Sequence, residues 1–247
     1  MSKNIISTKN SMLFGERYEI IDSGFNTGDF NMNFDLERTY TVAKGKALPM
    51  FRFYGWDPWT VSLGANQNAD EINSIECKNR GYGIVRRPTG GRAVFHANEL
   101  TYSVVLNLPE NMSVSDAYRE IHIILLEGLL KFGCQLINFE KSQPDFRNFY
   151  KDKSLSVSCF ASSARYELEY EGRKLVGSAQ KLYGRTLLQH GSILIGPGHE
   201  QIAYLSANKE DADKLLNFTL SHSATIEEIL NRNVKFDEIK ECMISIL

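Results

Sequence analysis

RRPTGGRAVFHANELTYSVVL, residues 86–106, is the stretch whose reading decides the fold. Gly90–Gly91 form a turn between two strand-like runs. Beyond them Leu100, Tyr102, Val104 and Leu106 alternate onto one face, the two-residue period of a β-strand. Paired glycines let backbone approach a ligand, and their N–H groups can face an anion or a developing oxyanion. Arg86, Arg87 and Arg92 surround the turn and supply charge for a phosphate or carboxylate. The structural alternative is a tight turn with solvated arginines.

Outward from this stretch, Tyr18–Asp22, Met50–Tyr54 and Thr60–Leu63 read as strands. The spacing predicts a helix over Asp29–Ala43 that buries Phe30, Met32, Phe34 and Leu36. A second is expected over Asp70–Asn79, closed by Gly81. The clearest helix starts at Ser113, which with Asp116 makes an N-terminal capping pattern. Val114, Ala117, Ile121, Leu125 and Leu129 recur on it, and Gly133 stops it. Tyr166–Tyr170 and Arg173–Ser178 flank Glu171–Gly172 as a hairpin, and strands continue through Ile195. From Glu200 the chain reads as helical, with Thr225 and Glu228 a further capping pair. Strands in antiparallel runs, not alternating with helices, define an α+β class: a mixed, mainly antiparallel sheet flanked by helices. The expected organisation is an N-terminal extension over 1–17, then one catalytic domain over 18–247 with a helical tail from about 200.

Composition narrows the function. With 247 residues, 43% hydrophobic and 23% charged, the chain is globular, and its formal charge of −2 gives no electrostatic footprint for nucleic acid. No apolar run reaches a membrane-spanning length and residues 1–18 lack a secretory apolar stretch, so a cytoplasmic protein that engages no membrane is expected. Cys77, Cys134, Cys159 and Cys242 show no metal-ligand spacing, and no metal site is expected.

A second stretch carries chemistry. Ser158–Cys159–Phe160 precedes Glu171-Gly172-Arg173-Lys174-Leu175-Val176-Gly177-Ser178-Ala179-Gln180, and Leu188-Gln189-His190-Gly191-Ser192 follows. Cys77 and Cys242 fall in helices and Cys134 just after one, ordinary places for a small buried thiol. Cys159 instead lies in a polar loop beside a lysine-bearing hairpin. Lysine is unusual on a half-buried strand, and a neighbouring ammonium lowers a thiol pKa from about 8.5. The alternative is a lysine that snorkels to solvent from an edge strand. His96 and His190 follow turns near both stretches; a general base is the alternative for each, and hydrogen bonding to backbone or shaping a pocket wall is the expected role. His122, His199 and His222 lie outside the motifs and are assigned none. Phe53, Tyr54, Trp56 and Tyr102 read as core, though some aromatics must line any channel for an acyl chain.

RFYGW (52–56), SLG (62–64) with Gln67, RRPTGGRAVFH (86–96), ELTYSVV (99–105), CF (159–160), EGRKLVGSAQ (171–180) and LQHGSIL (188–194) occur in that order. Together they resemble the catalytic domain shared by lipoate-protein ligases, biotin-protein ligases and octanoyltransferases, from about Asp22 to Ile195. Arg92 stands where the ligases typically carry a third glycine. Cys159-Phe160, fifteen positions before Lys174, is similar to the cysteine-dependent octanoyltransferases of Gram-positive bacteria. The resemblance implies that Cys159 carries the octanoyl group as a thioester and Lys174 lowers its pKa. It implies octanoyl-acyl carrier protein as donor, and as acceptor a lipoyl-domain protein such as the glycine cleavage H protein or a 2-oxoacid dehydrogenase E2 subunit. No cofactor is then required. Arg87, Thr89, Gly90, Gly91, Arg92, His96, Gly177, Ala179, His190 and Gly191 are the expected acyl-binding and oxyanion residues. An ATP-dependent lipoate ligase, an amidotransferase between lipoyl-domain proteins, and a non-catalytic carrier-binding module are the alternatives.

Overall fold

The computed structural model describes residues 3–8, 11–139 and 167–247. Eleven strands are assigned among them: β1 (Lys3–Ser7), β2 (Tyr18–Asn26), β3 (Met50–Trp56), β4 (Thr60–Leu63), β5 (Gly83–Arg86), β6 (Val94–His96), β7 (Glu99–Asn107), β8 (Ile137–Phe139), β9 (Leu168–Tyr170), β10 (Arg173–Tyr183) and β11 (Thr186–Leu194). Eight form one sheet in the order β1-β2-β3-β7-β11-β10-β9-β8; β4, β5 and β6 form a second. Only β2–β3 and β4–β5 pair in parallel, so the α+β architecture is mainly antiparallel as expected. Residues 3–7, within the expected extension, are the sheet's first strand.

Alternation along the central strands separates two cores. Phe51 and Phe53 of β3 join Leu100, Tyr102, Val104 and Leu106 of β7 beneath helix α3 (Val114–Phe132). The Ser113–Asp116 capping box starts α3, and Gly133, at φ 111°, ends it. Arg52 and Tyr54 alternate to the opposite face with Thr101 and Ser103, against helix α1 (Gly28–Ala43).

Here two expectations are corrected. Of the four apolar residues expected inside α1 only Met32 is buried, and Phe30 is 47% exposed. The buried face carries Asn31, Asp35 and Thr39, spaced four apart. The cause is Arg52, fully buried on β3: its Nη1 meets Asp35 Oδ1 at 2.8 Å and its Nη2 donates to Asn31 Oδ1 at 2.7 Å. A desolvated guanidinium needs a counter-charge and acceptors, and only a polar helix face supplies them. The helix expected over 70–79 is a 3₁₀ turn (Ala69–Glu71) followed by the short helix α2 (Ser74–Asn79). Asn73 divides them, because its side chain accepts from Glu76 N and caps α2.

The hairpin forms with Glu171 and Gly172 at positive φ, though Tyr166 lies outside the described residues. The tail holds α4 (Ile202–Leu205), α5 (Ala212–His222), α6 (Ile226–Leu230) and α7 (Phe236–Ile244). Thr225 caps α6 as expected, accepting from Glu228 N. Among the described residues no helix is long and apolar enough to cross a membrane.

The Arg52–Asp35 pair yields a direct prediction. Asp35→Ala leaves a buried guanidinium without its carboxylate and is expected to cost about 3–5 kcal/mol, read as a lowered urea midpoint. An unchanged midpoint contradicts this account of α1.

Candidate active site

The Gly90–Gly91 turn is built by close approach. A Cβ on Gly64 at the end of β4 would lie 1.9 Å from Gly91 O, and Gly91 itself has φ 93°. Arg87 reaches into this loop, and Arg86 into the neighbouring segment after β4. Arg86 donates to the carbonyls of Gly64, Ala65 and Gln67, and Arg87 to those of Ser62, Gly90 and Arg92. Arg87 is only 4% exposed, so it is not the solvated arginine of the structural alternative. Both guanidiniums fasten strand to turn, using five-donor forks on backbone acceptors. Arg92 faces Glu71 at 3.4 Å.

Beside this loop is a narrow cavity of about 30 Å³. Arg87, His96, Gly177, Ala179, His190 and Gly191 line it, six of the expected site residues. Thr89 reaches it indirectly: its Oγ1 lies 2.6 Å from His190 Nε2. Gly90, Gly91 and Arg92 belong to the neighbouring loop rather than to the lining. Tyr54 and Trp56 line the cavity, whereas Phe53 and Tyr102 lie in the core beneath α3. Ser62 and Ser192 are wall residues that periodicity did not single out, because a small hydroxyl on a strand looks like any other alternating position.

The two expected histidines are held differently. His190 Nδ1 is 3.7 Å from Asp35 Oδ2, too long for a hydrogen bond. Burial pushes the His190 pKa down, opposed by Asp35. Burial alone would raise the Asp35 pKa, yet Arg52 and hydrogen bonding hold it below its ordinary value. His96 has Nδ1 2.8 Å from Glu99 Oε1 and Nε2 2.8 Å from Ser62 Oγ.

Lys174 is 2% exposed on β10, so it does not snorkel; its Nζ lies 2.8 Å from Glu167 Oε1, on a carboxylate buried to the same degree. The pairing of Glu167 with Lys174 has no signal in the sequence, because a carboxylate seven positions before a lysine has no characteristic spacing. Cys159 lies outside the described residues. Cys77 and Cys134 are buried, and burial pushes both thiols up to about 11, unsuited to nucleophilic work.

His122, to which no role was assigned, sits fully buried on α3 behind the cavity wall. Its Nδ1 donates to Tyr118 O at 2.8 Å, so its Nε2 accepts, from Ser178 Oγ at 3.1 Å. Ser178 in turn receives the Tyr102 hydroxyl at 2.7 Å, and Gln189 Nε2 donates to Tyr102 Oη at 2.9 Å. The chain of donors runs one way from Gln189 to Tyr118. A Cβ on Gly191 would meet Ser178 Oγ at 2.5 Å, so glycine there admits the network.

A strand-built pocket behind a glycine turn, with a buried lysine on the strand that forms one wall, fits a lipoate-ligase type of catalytic domain. Residues 28–247 match the lipoyl protein ligase A/B catalytic domain, and the chain belongs to that family. It is 37% identical over 238 residues to octanoyltransferase LipM of Anoxybacillus flavithermus, covering 92% of this chain and 83% of that one. The Bacillus subtilis octanoyltransferase LipM is 35% identical over 236 residues, with coverage of 92% and 83%. A crystal structure of lipoate-protein ligase A bound with ATP superposes with a TM-score of 0.66 at 19% identity, covering 90% of this chain and 81% of that one, a likeness of fold.

Burial lowers the His122 pKa to about 4. The unfolded chain, with histidine near 6.5, therefore binds more protons between those values, and stability falls as pH drops through that window. At about 1.4 kcal/mol per pH unit, the expected loss approaches roughly 3 kcal/mol by pH 4. Denaturant melts of wild type and His122→Gln at pH 7 and pH 4.5 check this: the variant should lose less stability on acidification.

Proposed function

We propose that this protein transfers an octanoyl group from octanoyl-acyl carrier protein to a lysine of a lipoyl-domain protein, by way of a thioester on Cys159. The observation that carries the reading is the 34–37% identity to octanoyltransferases, spanning 92% of the chain for those of A. flavithermus, B. subtilis and Staphylococcus aureus. The chemistry follows from the residue types. A thiolate attacks the donor thioester, the carrier thiol leaves, and the acyl-enzyme is then aminolysed, so one difficult transfer becomes two easier ones. Lys174 faces the Glu167 carboxylate at 2.8 Å. A lysine cation favours a neighbouring thiolate. The route draws its driving force from a thioester and uses neither ATP nor metal. The acceptor would be a lipoyl-bearing protein such as the glycine cleavage H protein or an E2 subunit.

Intact-protein mass spectrometry after mixing with octanoyl-acyl carrier protein, without ATP, tests the reading. Wild type should gain one hydroxylamine-sensitive octanoyl group, and Cys159→Ala none. An unmodified wild type that instead forms lipoyl-AMP from lipoate and ATP would make the protein a ligase.

The role of Lys174 is separable. Iodoacetamide alkylation of Cys159 as a function of pH should shift upward by about one unit or more in Lys174→Gln, toward the ordinary thiol value near 8.5. Glu167→Gln should shift it the other way, because the cation loses a compensating carboxylate. Coincident profiles in all three proteins would remove Lys174 from the mechanism.

A further inference from the structure

Ion pairing among the described residues leaves cations without a carboxylate at one end of the large sheet. The chain carries 28 basic and 30 acidic residues, a near balance in which a surplus of one sign has to be local. Lys44 and Lys46 follow α1, Lys181 lies near the end of β10, and Arg185 sits in the turn between β10 and β11. All four are exposed, and none pairs with an acidic group. The segments that carry them meet. The Tyr40 and Tyr183 rings pack edge to face at 6.0 Å, and Lys181 Nζ lies 5.0 Å from the Tyr183 ring. Asn107 Nδ2, at the end of β7, donates to Val42 O at 3.3 Å, and Arg185 Nη2 donates to Leu108 O at 2.9 Å.

Two of the four have a part in the fold. Lys44 ends α1, whose last turn holds no other cation to offset the negative end of its dipole, and Arg185 fastens its turn to Leu108. Lys46 does neither, and Lys181 only rests over a tyrosine ring. Glu37 on α1 and Glu110 after β7 are exposed carboxylates of the same segments, and neither pairs with any of the four. Tyr40, 49% exposed, adds apolar area among the charges. Such a surface steers and registers a partner of opposite charge. It also shares its supports with the cavity. On β10, Gly177, Ala179, Lys181 and Tyr183 alternate onto one face, and the first two line the cavity. On α1, Met32 lines the cavity, and Tyr40 and Lys44 lie about two and three turns further on. Both routes put the tyrosine pair roughly 12 Å from the cavity wall.

We propose that this basic face docks the carrier protein that delivers the octanoyl group, through Asp and Glu side chains on the carrier's surface, a docking that rests on the donor reading above. Reach selects the donor over the acceptor. A carrier protein holds its acyl group at the end of a long prosthetic arm, so its body docks at a distance from the cavity. An acceptor lysine has only a four-carbon stem and must bring its own surface to the site. A net charge of −2 argues against nucleic acid, which is met by a wider basic footprint.

Binding and transfer are read separately. Fluorescence anisotropy follows labelled octanoyl-acyl carrier protein on wild type, Lys44→Glu/Lys181→Glu, Lys46→Glu and, as a charge reversal elsewhere, Lys78→Glu on the exposed side of α2. The double variant should bind about tenfold or more weakly and with a shallower salt dependence, Lys46→Glu several-fold more weakly, and Lys78→Glu like wild type. In transfer from the carrier the loss should fall on KM, with kcat near that of wild type. Acylation by octanoyl-N-acetylcysteamine, an uncharged thioester with no carrier protein, should be equal in all four proteins, which a damaged fold would not allow. Equal carrier affinity in the double variant and wild type overturns the docking, as does an equal loss in Lys78→Glu. A loss confined to a lipoyl-domain protein overturns it too, making the face the acceptor's, and so does binding of duplex DNA or anionic vesicles in place of the carrier. A wild type that binds the carrier through these lysines yet gains no octanoyl group would sink the acyl-enzyme reading and leave the docking standing.

Discussion

The buried pair of Arg52 and Asp35 is the interaction on which the rest of the site depends. Asp35 accepts from Arg52 Nη1 and from Ser103 Oγ, both at 2.8 Å, and from the Tyr54 hydroxyl at 3.2 Å. Those contacts tie α1 to β3 and β7. Arg52 also lies over the Tyr54 ring at 3.9 Å and the Phe34 ring at 4.3 Å, satisfying its face as well as its edge. Such a pair adds little net stability over an apolar replacement, since desolvating both ions offsets their attraction. What it supplies is position. It places α1 across the cavity, with Met32 in the wall, and it holds a negative charge behind His190.

The cavity's polar residues then divide by their partners. His122 is locked neutral behind Ser178, in a one-way chain of donors that ends on a helix carbonyl. His190 ties the wall to Thr89 and so to the Gly90–Gly91 loop. His96 alone among these three has a carboxylate at hydrogen-bond distance, with Glu99 Oε1 2.8 Å from its Nδ1. Arg87, buried, holds the loop closed through the carbonyls of Gly90 and Arg92, while the exposed Arg86 clasps the carbonyls of Gly64 and Gln67.

Some of this was readable beforehand because its cause is local. The α3 boundaries follow from a capping box and a left-handed glycine, both written within a few residues. Two-residue alternation located β7, and Glu171–Gly172 located the hairpin, because a turn at positive φ has few residue solutions. The motifs also brought six of the expected residues to one cavity. α1 misled for the opposite reason. Its apolar residues suggested an inward face, but the inward face is chosen by Arg52, which arrives from a strand seventeen residues after Asp35. The split at Asn73 was missed because a capping asparagine inside a helical pattern reads equally well as a helix-face residue.

Sequence by itself determined the class of fold, the hairpin turn, the ends of α3 and the motifs that place this chain in its family, because those depend on neighbours in the chain. Only the tertiary structure decided which polar groups share the buried wall. Glu167 with Lys174, Glu99 with His96 and Ser62, and His122 with Ser178 are joined by sheet registers, bends and a packed helix. A polar group taken out of water must find a partner, and the fold, not the spacing along the chain, determines which one it finds.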